Sequence, residues 1–210
     1  MKENIFMITG CAMLLSISSI TYSSEGPYVS GNLGVSMPSN SSLTDSTAPD
    51  IKIEIESDLG LALGAAVGYG FANNTRIEGE IAYTKNDADK ASQNGVDVDL
   101  TGDTSSLAFL LNGYYDFTNK SQITTSITAG LGVAKVELND FNVSGSGLPS
   151  ANYDDTVFAY QVGIGVGYAV NQNVIVDVKY RYFGTSDVQF DTTEVEYSGG
   201  AVYAGTRYSF

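Results

Sequence analysis

The chain has 210 residues, 24 acidic against ten basic side chains, a formal charge of −14, and neither histidine nor tryptophan. That length suits one domain, and that charge excludes nucleic-acid binding through a basic surface. Beyond the N-terminal stretch no window of about 20 apolar residues occurs, which excludes a transmembrane helix but leaves strands as spanning elements.

The N-terminus reads as a secretory signal peptide over residues 1–24. Lys2 supplies the positive start, residues 5–20 the apolar stretch, and Thr21, Ser23 and Ser24 the small residues, so cleavage is expected after Ser23 or Ser24. Ile8-Thr9-Gly10-Cys11 resembles a lipoprotein cleavage box only faintly, because apolar residues continue past it. Cys11 is the sole cysteine, so the mature domain, residues 25–210, is expected to have no disulfide.

Eight alternating segments follow. Residues 28–37 place Val29, Leu33, Val35 and Met37 on one face and Ser30, Asn32, Gly34 and Ser36 on the other. Residues 59–71 alternate strictly between large apolar side chains (Leu59, Leu61, Leu63, Val67, Tyr69, Phe71) and Gly or Ala, a period of two that only a strand uses. Residues 76–85 set Ile77, Ile81 and Tyr83 against Arg76, Glu78 and Glu80. Residues 106–117, 123–133 and 158–170 repeat the pattern, the last two over Gly-rich opposite faces. Residues 174–183 carry Val174, Val176, Val178, Tyr180 and Tyr182 opposite Asp177, Lys179 and Arg181. The last segment alternates Val202, Ala204, Thr206, Tyr208 and Phe210 against Ala201, Tyr203, Gly205, Arg207 and Ser209.

Connections alternate in length. Three short, Asn-rich turns (residues 72–75, 118–121 and 171–173) alternate with four long segments (38–58, 86–103, 137–155 and 184–198). These long segments hold 18 of the 24 acids. This is the layout of an all-β, eight-stranded, antiparallel up-and-down transmembrane barrel, with short periplasmic turns and long outer loops. The apolar face must point outward, because the other face carries charges that hydrocarbon would not tolerate and the small residues a narrow interior needs. A soluble barrel would reverse the faces. Tyr69, Phe71, Tyr115, Phe117 and Tyr168 are expected at the periplasmic rim, and Phe158, Tyr160, Tyr180 and Tyr182 at the outer rim.

Inside, Arg76, Glu78, Glu80, Asp177, Lys179, Arg181 and Arg207 form a candidate lumen charge network. Strands three and seven of eight face each other, so Glu78 and Glu80 are expected to pair across the lumen with Lys179, Arg181 or Arg207. Such a network either fills the interior or gates a narrow channel, and most of its charges must be paired in either case. Without His or a mature Cys the commonest general base and the strongest nucleophile are missing, so the chain reads as no enzyme and calls for no cofactor. Asp97-Val98-Asp99-Leu100-Thr101-Gly102-Asp103 partly matches a calcium loop, but Ala108 stands where the closing Glu belongs, and a solvated acidic surface explains it better. Ile51, Ile53 and Ile55 keep phase with Leu59, so the second strand is expected to run on beyond the bilayer.

The segment Phe158-Ala-Tyr-Gln-Val-Gly-Ile-Gly-Val-Gly-Tyr168 and the string Tyr180-Arg-Tyr-Phe183 resemble the last hairpin of opacity-type and surface-antigen-type outer-membrane proteins. Pro27-Tyr28-Val29-Ser30-Gly31 agrees. The ending Tyr208-Ser209-Phe210 resembles the C-terminal assembly signal of outer-membrane barrels. The resemblance implies a barrel similar to that of outer membrane protein A, in the bacterial outer membrane, with variable surface loops. Members of the family include adhesins, antigens and small porins. A chain ending at Phe210 is expected to lack a periplasmic peptidoglycan-binding domain. Expected partners are outer-membrane lipid and lipopolysaccharide, the barrel assembly machinery, and a host or surface partner at the loops, with no nucleic acid. The expected role is a surface protein anchoring four acidic loops for interaction or membrane integrity; a small cation-favouring diffusion channel is the alternative.

Overall fold

The computed structural model describes residues 25–39, 41–44, 52–57, 59–93, 96–118, 121–143, 151–186, 188–190, 193–195 and 198–210. The expected signal peptide and Cys11 lie outside them. Eight long strands form the barrel wall: β1 Gly26–Pro38, β4 Gly60–Gly70, β5 Thr75–Gln93, β6 Val96–Phe117, β7 Ile123–Val143, β8 Ala151–Ala169, β9 Val174–Thr185 and β12 Ser198–Ser209. Short strands β2 Ser41–Thr44, β3 Lys52–Ser57, β10 Val188–Phe190 and β11 Thr193–Val195 lie beyond the outer end.

Each wall strand pairs antiparallel with its neighbour in the chain, and β1 closes on β12 from Tyr28↔Ser209 to Pro38↔Gly199. Closure removes the sheet edge, which hydrocarbon would leave without hydrogen-bond partners. Following partners once around from Tyr28 through Gly68, Glu78, Asn112, Gly130, Gln161, Phe183 and Gly199 returns to β1 at Pro38, ten residues further on. Such a stagger for eight strands goes with a tilt of about 35–45° and an interior only wide enough for side chains.

The faces follow the alternation. Leu111 and Ile164 are 66% and 63% exposed, within an unbroken apolar outer surface that includes Leu33, Val67, Phe109, Leu131 and Val178. An apolar surface of that extent fits lipid and not water. Three of the strands that descend to the periplasmic end finish in a Tyr-x-Phe pair whose rings touch: Tyr69–Phe71, Tyr115–Phe117 and Tyr208–Phe210, with centroids 5.2, 5.0 and 5.3 Å apart. At the other rim, Tyr180 sits deeper than Tyr182, opposite Ile164 and Val202.

Asn makes two of the three short turns, as expected, and Asn119 of the third lies outside the described residues. Asn74 adopts φ 64°, a left-handed conformation that Asn tolerates, and Asn171 Oδ1 accepts from the backbone N–H of Asn173 and Val174, both at 2.9 Å. Around the closure, tyrosines fill the space beside glycines of the next strand. Tyr160 lies over Gly184, Tyr180 over Gly200, Tyr203 over Gly34 and Tyr28 over Gly68. Rings laid over glycines pin register where the wall would otherwise be bare backbone.

The long connections differ from the expectation. Residues 86–103 are mostly strand: β5 and β6 stay paired to Gln93↔Val96, and β7 and β8 to Phe141↔Ala151. The wall thus rises above the membrane as ribbons with bulges, one beside Gly102 at φ 149°. The partial calcium-loop match therefore runs in extended β6 rather than in a loop, which its ligand geometry would require. The expected extension of the second strand appears as β3, separated from β4 and paired with β5 from Ile53↔Gln93.

Candidate functional site

The candidate site is the lumen, with the charged outer end above it. Parity aims the lumen side chains inward, and the ten-residue stagger sets which of them meet. Lowest lies Asp116 of β6, gripped by Arg76 of β5: Nε donates to Oδ2 at 2.7 Å and Nη2 to Oδ1 at 3.0 Å. Such a fork is the strong form of the interaction. Arg207 of the last strand stands 3.9 Å from the same carboxylate. Tyr28 of the first strand donates to Glu78 at 2.8 Å and accepts from Arg76 at 3.1 Å. The Arg76 guanidinium also lies 4.1 Å from the centre of the Tyr114 ring.

One layer up, Lys179 donates to Asn32 at 2.9 Å and pairs with Asp177 at 3.1 Å. Above it Arg181 of β9 crosses to Glu80 of β5 at 2.5 Å and donates to the Tyr114 hydroxyl at 2.9 Å. The other Glu80 oxygen accepts from Asn112 at 2.6 Å and Gln161 at 3.1 Å. Arg181 and Glu80 are 2% and 3% exposed.

Of the pairings expected across the lumen, the structure brings Arg181 to Glu80. Glu78 meets Arg76 of its own strand instead, at 3.5 Å, and Lys179 meets Asp177 of its own strand. Arg207 meets Asp116, which sequence reasoning missed. The signal was available: Asp116 shares parity with Asn112 and Tyr114, both inward, but stands between the outward aromatics Tyr115 and Phe117. The lumen so described holds four cations (Arg76, Lys179, Arg181, Arg207) and four carboxylates (Glu78, Glu80, Asp116, Asp177). All three arginines of the chain are there, and every basic residue outside is lysine. The planar fork of Arg suits buried pairing, while the hydrated ammonium of Lys suits a wet surface.

Towards the outer end apolar clusters stand among buried polar side chains such as Ser36, Asn86 and Ser106. Ala108, Leu110, Ala134 and Ala159 pack with Ala82 and Phe183, and Ala62 and Ala201 pack with Tyr203. A cavity of about 30 Å³ remains beside Arg181, Gln161, Phe183 and Tyr203, room for a water molecule or two.

The four cations and four carboxylates described in the lumen cancel, and the rest of the sequence has six basic against twenty acidic residues. The four segments beyond the outer rim hold eighteen acids and two lysines, Lys52 and Lys90. At the rim, Lys85 pairs with Asp103 at 3.4 Å, and Lys135 with Glu137 at 2.7 Å and Asp154 at 3.3 Å. Those two carboxylates hold the exposed Lys135 ammonium above its ordinary pKa. Among the described residues no three acids cluster closely enough to hold a metal ion. At the opposite end Tyr208 and Phe210 face outward at the closing strand, and the Phe210 N–H donates to Pro27 C=O at 3.2 Å.

A lipid-facing wall closed by its first and last strands, over a side-chain-filled interior, defines an outer-membrane β-barrel. The chain belongs to the family described as the outer membrane protein beta-barrel domain, whose profile matches residues 7–210. It is similar to the outer membrane protein PagN of Salmonella typhimurium, 25% identical over 89% of this chain and 85% of PagN. A putative adhesin of Rickettsia conorii, RC1281, is likewise 25% identical over 94% of this chain and 86% of that protein. Among solved structures, neisserial surface protein A (NspA) matches with a TM-score of 0.60 at 22% identity, covering 88% of this chain and 97% of that one, a likeness of fold. The protein is therefore an eight-stranded barrel of the bacterial outer membrane.

Proposed function

We propose that this barrel is a closed, non-enzymatic anchor whose work is done by its acidic outer ribbons and loops, which contact a host or partner surface. The observation that carries this reading is the division of charge. The described lumen is neutral and filled, while the four long outer segments hold eighteen acids against two lysines. A charge field confined to one exposed end steers encounters with surfaces of opposite sign. Two relatives of nearly full length support the reading, one of them a putative adhesin. In this reading lipid and lipopolysaccharide surround the wall, with Lys85 and Lys135 at the level of the outer headgroups, and Tyr208 and Phe210 are read by the assembly machinery. The lumen residues act as a neutral plug. The channel alternative is disfavoured by the filled interior, in which Leu110 and Phe183 pack above the paired Arg181 and Glu80.

The test is adhesion. Non-adherent bacteria displaying the protein should attach to cultured host cells, and attachment should fall to background when residues 86–103 and 137–155 are replaced by short turns. The barrel should still fold, because its closure depends on strand pairing. Attachment no greater than that of bacteria lacking the protein overturns the reading.

A further inference from the structure

The cavity beside Arg181 is a chamber closed below and reached from above. Its floor is the layer in which Arg181, Gln161 and Glu80 meet, all of them buried. Ala82, Ala108 and Phe183 stand around it. Ala82 and Phe183 point inward, yet both are partly exposed, as is Thr84 above them, so the chamber is open towards the outer side. Its volume of about 30 Å³ holds about two water molecules or a compact group of about four heavy atoms.

Two polar groups at the floor are left over by the lumen network. Arg181 donates from its terminal nitrogens to Glu80 and to Tyr114, and its buried Nε–H has no partner. Gln161 donates from its amide nitrogen to Glu80 at 3.1 Å and to Asn112 Oδ1 at 2.6 Å. Both of those partners are acceptors, which fixes the orientation of the amide. Among the described residues its amide oxygen accepts from no donor. Interiors pair almost every such group. Glu80 neutralises Arg181, so the floor offers one donor and one acceptor without net charge, beneath an apolar wall.

An acetamido group matches all three features. Its carbonyl accepts from Arg181 Nε–H, its N–H donates to Gln161 Oε1, and its methyl lies against Ala82, Ala108 and Phe183. A carboxylate has no N–H for Gln161 and is repelled by the acidic outer segments. A primary amide puts a second N–H where the apolar side chains want the methyl. We propose that the chamber binds the acetamido group of a neutral N-acetylhexosamine that ends a glycan on the contacted surface. Such a site is mostly apolar with a few placed polar groups, as small-molecule sites are. The inference rests on the surface-contact reading above and names the chemistry of the contact.

The experiment uses the full barrel in zwitterionic nanodiscs and three neutral disaccharides, followed by saturation-transfer NMR. One is the β1,4-linked disaccharide of N-acetylglucosamine, the second carries hydroxyls in place of its acetamido groups, and the third carries bulky N-pivaloyl groups. The N-acetyl disaccharide should bind, with its methyl protons receiving the strongest transfer. The hydroxyl copy should bind at least about tenfold more weakly, since it loses both hydrogen bonds, and the N-pivaloyl copy should not fit. Ala82→Leu fills the chamber and should abolish binding. Phe183→Ala enlarges it and should admit the N-pivaloyl copy. Heat-dependent gel mobility checks that each variant is folded. Equal binding of the N-acetyl and hydroxyl disaccharides overturns the proposal, and so does undiminished binding by folded Ala82→Leu protein. Bacteria that adhere through a protein that binds no N-acetyl disaccharide would sink this inference and leave the surface-contact reading standing. Disaccharide binding without adhesion would do the reverse.

Discussion

Arg181 of β9 and Glu80 of β5 meet across the middle of the barrel at 2.5 Å, joining opposite sides of the wall. Each is almost fully buried, so removing one leaves the other charged and unpaired in a water-poor space. Arg181→Ala should cost about 3–5 kcal/mol of folding stability, and Glu80→Ala a similar amount. The double substitution should cost less than the sum, because it leaves no orphan charge. Urea unfolding in lipid vesicles measures all three.

The lipid face grades with depth. Ile164 lies at mid-strand, opposite Ile127 and Tyr180, whereas Leu61 lies near the outer rim opposite Lys85. Ile164→Arg should destabilise the barrel by about 2–4 kcal/mol, and Leu61→Arg by about 0–1 kcal/mol. The same unfolding assay compares them. Equal effects would contradict the depth that the ladder assigns.

Tyr28 fills the space beside Gly68 and donates to Glu78. A Cβ at position 68 would strike the Tyr28 ring and the backbone carbonyl of Ile77. Gly68→Ala should cost about 1–3 kcal/mol through overpacking. In a double-mutant cycle with Tyr28→Ser the penalty should shrink, and the coupling energy reports the contact between ring and glycine.

The strands were legible because period two leaves a mark on every second residue, and the interior was legible because charge and glycine share one parity. The partners within the lumen were not legible. Whether Glu78 meets Arg207 or Arg76 depends on the ten-residue stagger, which no strand carries in its own sequence. Asp116 was hidden by its neighbours Tyr115 and Phe117. The ribbons of β5 and β6 were hidden for another reason. Residues 86–95 carry no apolar alternation, and the alternation of Val96, Val98 and Leu100 with Asp97 and Asp99 reads as a partial calcium loop rather than a strand. Their pairing extends the ladder of the wall below, with the register shifted at a bulge between Asp87 and Lys90.

Phe210 ends the strand that closes the barrel. Its N–H is tied to Pro27, and its ring packs edge-on against Tyr208. Deleting it should lower the yield of folded protein in the outer membrane sharply, while protein refolded in detergent should keep most of its stability. Heat-dependent gel mobility of membrane fractions and of refolded protein separates the two. A loss confined to the membrane assigns Phe210 to recognition during assembly, and an equal loss in both assigns it to packing.

The lumen sets the last expectation. Its lower storey is a paired, neutral network, and its upper storey is closed by Leu110, Phe183 and Tyr203. Ions must force apart packed side chains in the upper storey and break pairs in the lower one. Wild-type protein in planar bilayers should therefore show no steady conductance. Phe183→Ala alone should add little, because the Arg181–Glu80 pair still bars the way. Arg181→Ala alone should also add little, because Leu110, Phe183 and Tyr203 still fill the way. Combined, they remove both barriers and leave Glu80 without its cation, so the double variant should conduct and favour cations. Steady wild-type currents would show that the plug leaks. They would promote the channel reading over that of a closed anchor.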